Sequence, residues 1–192
     1  MKEILKKLED RGPLDYEELG KLLKDIDFSL VNYKEFLPEL SGSDTYSRSI
    51  LTMNPIEVLL IHWPPNVSSA VHHHNGFWGY VAVLKGTCEN VEYLFNEGVI
   101  RESQSMKSVR GGIMPEPDGI LHKILNPSGE EELVTAHFYY PALENLEDMV
   151  IYDLENERIG TLNDKAGSAS WTEPVEHFKN IQENAFKFVS EI

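Results

Sequence analysis

The chain has 192 residues, a length that favours one domain with a substantial core. Its 32 Asp and Glu against 17 Lys and Arg give a formal charge of −15 with no basic cluster; phosphate backbones and anionic lipids need clustered cations, so nucleic acid and membrane surfaces are excluded as expected partners, and no obligate protein partner is inferred. The lone Cys88 forbids an intramolecular disulfide, Met1–Asp10 carries charges throughout, and no stretch approaches a membrane span, so a soluble cytoplasmic protein is the expectation.

The first forty residues have helical texture. Ile4, Leu5 and Leu8 repeat at helical spacing until Gly12-Pro13 breaks the pattern, and Leu14, Leu19, Leu22 and Leu23 repeat among Glu and Lys as far as Ile26. A third, short helix is expected over 29–39, and the three together form a cap over a sheet. From residue 46 the pattern changes. Val58–Trp63 is an apolar run ended by Pro64-Pro65, Tyr80–Leu84 stops at Lys85-Gly86, and Thr87–Phe95 alternates; each predicts a strand. Ile120–Leu125 and Leu133–Tyr140 are further strands, and Val150–Tyr152 with Ile159–Leu162 makes a late hairpin about Asn156. Phe178, Ile181, Phe186 and Val189 return to helical spacing, which predicts a C-terminal helix over 173–192. Short strands with Gly, Pro and Asn punctuation point to a mainly β protein, a sandwich or barrel.

The chemistry lies in two histidine segments. In a strand, residues two apart share a face, so His72 and His74 point one way and His73 the other. A third imidazole from His122 on a neighbouring strand would surround one divalent metal and leave other positions open, which is the arrangement of a catalytic rather than a structural site. Imidazoles suit Fe, Zn, Cu and Ni, so the ligand type alone does not choose the metal. His62 and His177 stand alone and are read as packed or surface residues. Thr135, His137 and Tyr139 alternate and therefore share one strand face, where a histidine between two hydroxyls can relay a hydrogen bond. Arg48 offers a planar fork matched to a carboxylate.

Gly111, Pro117, Gly119, His122 and Asn126 follow Gly-x5-Pro-x-Gly-x2-His-x3-Asn, which resembles the second signature of the cupin superfamily. His72-x-His74 followed by Gly86 resembles the first. Asn66 replaces its leading glycine, and Gly79 stands where many cupins carry a glutamate ligand. The missing glutamate, Tyr46-Ser47-Arg48, Leu121–Asn126 and Thr135–Pro141 together resemble the cysteine dioxygenase family of thiol dioxygenases over residues 44–142. The resemblance implies one cupin domain over 1–192: a helical cap over 1–40, a jelly-roll β-barrel over 46–165 and the C-terminal helix. It implies Fe(II) on His72, His74 and His122, a substrate carboxylate on Arg48 with Tyr46 nearby, and a catalytic relay of Thr135, His137 and Tyr139, threonine replacing the family's serine. Gly79 also fills the place of the cysteine that mammalian members link to the tyrosine, so that crosslink is not expected here; a cis Tyr140–Pro141 bond is. The activity implied is conversion of a small thiol, L-cysteine first, to its sulfinic acid with O2. The alternatives are a 3-mercaptopropionate dioxygenase, in which glutamine often replaces the arginine, a non-catalytic metal- or metabolite-binding cupin, and a zinc or manganese isomerase.

Overall fold

A computed structural model describes residues 1–12 and 14–190. Helix α1 (Lys2–Arg11) turns Ile4 and Leu8 inward and ends at Gly12, whose φ of 75° places it in the left-handed region that favours glycine. Helix α2 (Tyr16–Lys24) starts at a capping box: Asp15 accepts from the Glu18 backbone N–H, and Glu18 accepts from that of Asp15. The strands follow in chain order: β1 (Ser47–Thr52), β2 (Glu57–Trp63), β3 (Val71–His73), β4 (Trp78–Lys85), β5 (Thr87–Asn96), β6 (Val99–Val109), β7 (Ile113–Glu116), β8 (Leu121–Leu125), β9 (Leu133–Tyr140), β10 (Val150–Asp153), β11 (Arg158–Leu162), β12 (Phe178–Gln182) and β13 (Lys187–Val189).

These strands form two sheets, ordered β1-β2-β9-β4-β7 and β12-β11-β10-β3-β8-β5-β6-β13. All pairs are antiparallel except β13 with β6. The architecture is the expected mainly β, cupin-type jelly roll with helices before it. The central strands of the smaller sheet are buried on both faces, which is why Val58–Trp63 and Leu133–Tyr139 read as nearly continuous apolar runs. On the outer face, Val58, Leu60, Tyr80, Ala82, Val134, Ala136 and Phe138 pack under Ile4, Leu8, Leu19, Leu23 and Phe28. Gly20 allows α2 to approach closely, since a Cβ there would lie 2.4 Å from the Tyr80 hydroxyl. On the inner face, Leu59, Ile61, Trp63, Val81, Val83 and Met114 meet Cys88 and Ile124 of the larger sheet. The inner face of β9 carries Thr135, His137 and Tyr139, so the same alternation that builds the core aims these polar groups between the sheets.

Three expectations are corrected. The C-terminal helix is absent among the described residues; β12 pairs with β11 and β13 with β6. Two sheet edges there need hydrogen-bond partners, and a positive φ of 51° at Asn184 turns the chain between them. Phe178 stacks on Trp171 with ring centroids 5.3 Å apart, so tertiary packing overrides the helical spacing of its apolar residues. The third helix is instead two single 3-10 turns, Phe28–Leu30 and Lys34–Phe36, separated by extended Val31. Strands β1, β6 and β7 had no counterpart in the apolar pattern; β6 is polar and largely exposed. The Tyr140–Pro141 bond is cis, as is Asn54–Pro55.

Candidate active site

Strands β3 and β8 pair with His72 opposite His122, and His74 is held just past β3 by its backbone N–H to Ile120 O at 2.9 Å. One nitrogen from each ring lies within 4.8 Å of the other two. Hydrogen bonds on the far side fix two of the rings. His72 Nδ1 donates to Ala70 O at 3.0 Å, and His122 Nδ1 donates to Asn90 Oδ1 at 2.7 Å, which leaves each Nε2 as a bare lone pair. The Nε2 atoms of His122 and His74 face each other at 3.0 Å. Burial pushes His72 down to about 4. It takes His74 and His122 well below the usual histidine range, and repulsion from neighbouring histidines, His72 first, adds to this. Neutral imidazoles whose nitrogens converge in this way fit a divalent transition metal. His73 points away to Gly119 O at 3.2 Å.

A second set of polar groups crosses the smaller sheet. Thr135 Oγ1 lies 2.8 Å from His137 Nε2, and His137 Nδ1 lies 2.7 Å from the Tyr139 hydroxyl. The chain continues at both ends: Trp63 Nε1 donates to Thr135 at 2.9 Å, and the Tyr139 hydroxyl donates to Glu116 Oε2 at 2.8 Å. Burial takes His137 down to about 3, so it is neutral. Burial first and then the neighbouring Glu116 hold the Tyr139 phenol well above its ordinary value. Burial raises Glu116 to about 8, against the hydrogen bond from Tyr139, which lowers it.

Arg48 faces the same space from β1, where it pairs with Ile61. Its Nη2 lies 3.7 Å from Glu57 Oε1, and its Nη1 donates to Gly167 O at 3.4 Å. Glu57 is completely buried and accepts from the Leu143 N–H at 3.1 Å. Tyr46 accepts from the Ala169 N–H at 2.6 Å, and burial pushes its phenol up to about 12. One cavity is lined by Tyr46, Arg48, His72, His74, His137 and Tyr139, with Leu59, Ile61, Phe77, Leu143, Leu146 and Met149 as apolar walls. His122 and Thr135 lie behind this lining, joined to it at His74 and His137. The structure therefore brings together every residue singled out for the site, and it leaves His62 and His177 outside, near Glu132 and Glu173 respectively.

Sequence reasoning missed Trp63, Asn90, Glu57 and Glu116. Glu57 had one usable signal, a carboxylate opening an otherwise apolar run. Glu116 had none without the register, because only the pairing of β7 with β4 turns it inward opposite Gly79.

The sequence profile of cysteine dioxygenase type I matches residues 3–150. Among solved structures, a Klebsiella pneumoniae protein with a double-stranded β-helix domain is 20% identical, with 59% of this chain and 84% of that chain covered and a TM-score of 0.46. A Schizosaccharomyces pombe cupin domain is 13% identical over 53% of this chain and 69% of its own, with a TM-score of 0.43. An oxalate oxidase is 14% identical over 59% of this chain and 60% of its own, with a TM-score of 0.46.

Proposed function

The chain belongs to the cysteine dioxygenase type I family, and from that membership we propose that it is an Fe(II)-dependent thiol dioxygenase acting on a small amino-acid thiol, L-cysteine first. The reaction adds both atoms of O2 to the substrate sulfur, so the thiol R–SH becomes the sulfinic acid R–SO2H and O2 is the oxidant. The observation that carries this reading is one cavity holding the histidine cradle, a half-buried arginine and the tyrosine of an ordered relay.

His72, His74 and His122 would hold the metal. Bound there, ferrous iron supplies a Lewis-acidic, redox-active position at which thiolate and dioxygen are brought together. Arg48 takes the substrate carboxylate. At about 4 Å and an effective dielectric of 20, opposite charges attract by roughly 4 kcal/mol before desolvation, enough to fix one end of a small zwitterion. Glu57 stands 3.7 Å from the half-buried guanidinium and offers it a counter-charge. Tyr139 presents its phenol oxygen to the cavity, held by neutral His137, so a hydroxyl of fixed orientation meets the reacting end of the substrate. Leu59, Ile61, Leu143, Leu146 and Met149 keep bulk water from this space.

The test is oxygen uptake and sulfinate formation by iron-loaded protein, with metal content measured alongside and 3-mercaptopropionate as the comparison thiol. The expected result is about one O2 per sulfinate with cysteine preferred. Arg48→Gln should raise KM for cysteine by on the order of 10- to 100-fold, from the loss of roughly 1.5–3 kcal/mol of charged hydrogen bonding, and shift preference toward 3-mercaptopropionate. No thiol-dependent uptake with iron bound refutes the enzyme and leaves a metal-binding cupin.

A further inference from the structure

Glu116, Gly79 and Tyr139 stand in one row across three strands. Gly79 pairs with Glu116 on β7 and with Tyr139 on β9. Side chains of strands two apart in a sheet are separated by about 10 Å, and a residue of any size between them blocks their meeting. Here the middle residue has no side chain. A Cβ at position 79 would lie 2.4 Å from Tyr139 Cδ1, so the glycine is what lets the carboxylate and the phenol meet above it at 2.8 Å. Glu116 is fully buried, and its other oxygen, Oε1, has no hydrogen-bond partner.

The hydrogen bonds then acquire a direction. The Trp63 indole N–H can only donate, so Thr135 Oγ1 accepts from it and has its own proton free for His137. At the other end Tyr139 donates to Glu116, and so accepts from His137. Neutral His137 carries one proton, which must be on Nδ1, leaving Nε2 to accept from Thr135. Every donor in the series finds an acceptor only when it runs from Trp63 to Glu116.

We propose that Glu116 is a positioning residue for Tyr139: reaching across Gly79, it accepts the phenol's hydrogen bond, terminates the Trp63–Thr135–His137–Tyr139 series and gives it a single direction. Its value to catalysis rests on the thiol dioxygenase reading; its effect on the hydrogen bonds does not. The donor atoms of the three histidines form the metal cradle without it, so Glu116 acts through Tyr139 and is not itself a ligand. Its Oε2 is 4.0 Å from His74 Nε2 and its Oε1 is 3.7 Å from His122 Nδ1, the nitrogen already given to Asn90.

The experiment has two arms. Nitrogen-15 NMR of the histidine rings in the full chain loaded with Zn(II), a diamagnetic stand-in, reads the His137 tautomer. The Nδ1–H form is expected in the wild type. In Glu116→Gln, where the amide both donates and accepts, a shift toward Nε2–H is expected. A wild-type Nε2–H form, or no change in the variant, overturns the proposal, and the wild-type measurement decides alone if the variant does not fold. In the kinetic arm, Glu116→Gln should keep its iron content and its KM for cysteine while kcat falls on the order of 10-fold. Loss of iron makes Glu116 a ligand and overturns the proposal, as does an unchanged kcat in an active enzyme. A wild type that turns over no thiol sinks the dioxygenase reading alone, since the tautomer still reports on Glu116.

Discussion

Replacing Gly79 by alanine adds one methyl group, and the structure says where it goes. Its Cβ would sit 2.2 Å from Phe138 O, 2.4 Å from Tyr139 Cδ1 and 3.0 Å from Tyr139 Cε1. The first is a backbone oxygen in the ladder between β4 and β9 and can give way only by moving a strand. The second can yield only by swinging the phenol off Glu116 and His137, whose hydrogen bonds to it are 2.8 and 2.7 Å. Overpacking a core costs about 1–3 kcal/mol, and a buried polar group left without its partner costs about 1–3 kcal/mol more. The sum is about 2–6 kcal/mol. For a chain of this size each kcal/mol moves Tm by about 2–4 °C, so Gly79→Ala should unfold on the order of 10 °C below the wild type. Thermal unfolding followed by circular dichroism in the metal-free chain measures this without any assumption about activity. A midpoint within about 2 °C of the wild type would mean that the row from Glu116 to Tyr139 is not packed as described, and the argument built on it would fail.

Two other perturbations test the supports of the site. Asn90→Leu removes the acceptor that fixes His122 Nδ1 at 2.7 Å; metal affinity, measured by competition with a chelator, should fall about 10- to 100-fold while the fold is retained. Unchanged affinity would show that the ring is held by packing alone. His137 is neutral in the folded chain, with its value taken by burial from 6.5 down to about 3. The unfolded chain therefore binds the extra proton first as pH falls, so the stability held above about pH 6.5 is lost progressively down to about pH 3. In metal-free protein, the Tm of His137→Gln should fall less steeply than that of the wild type between pH 6.5 and 4, and parallel curves would remove His137 as a contributor.

The parts of the fold legible in the sequence are those where burial writes a pattern. Val58–Trp63 and Leu133–Tyr140 are apolar because helices cover one of their faces and the second sheet covers the other. Ile4, Leu8, Leu19 and Leu23 repeat because each helix buries a single stripe. Where burial writes nothing, the reading failed. Strand β6 has mostly exposed polar side chains and is held by its backbone pairing to β5, and β12 and β13 exist because two sheet edges need partners. The site divides in the same way. His72 with His74, and Thr135 with His137 and Tyr139, are legible because each group lies on one strand, where period two is visible. Glu116, Asn90 and Trp63 join them through pairing between strands, and register is not written in any one strand.

The polar groups that the fold leaves unmatched are informative for the same reason. Among the described residues, the buried side-chain atoms without a hydrogen-bond partner are Glu57 Oε1, His74 Nδ1, Asn90 Nδ2 and Glu116 Oε1, and, outside the cavity lining, His62 Nε2 and Trp171 Nε1. The first four belong to the histidine cradle or to side chains touching it, Arg48 or Tyr139. Each such atom costs about 1–3 kcal/mol, and apolar residues of similar volume would avoid that cost. Elsewhere one amide, Asn126 Nδ2, reaches the carbonyls of Pro64 and Glu131 at 2.9 and 2.8 Å. Four of the six unmatched atoms surround one cavity, so most of this cost falls on the site. The lone pairs of His72 and His122 open into this space, with Glu57 beside Arg48 and Glu116 beside Tyr139. A divalent cation satisfies such lone pairs, whereas a metabolite without a donor does not, so the open imidazoles favour a metal centre over simple small-molecule binding.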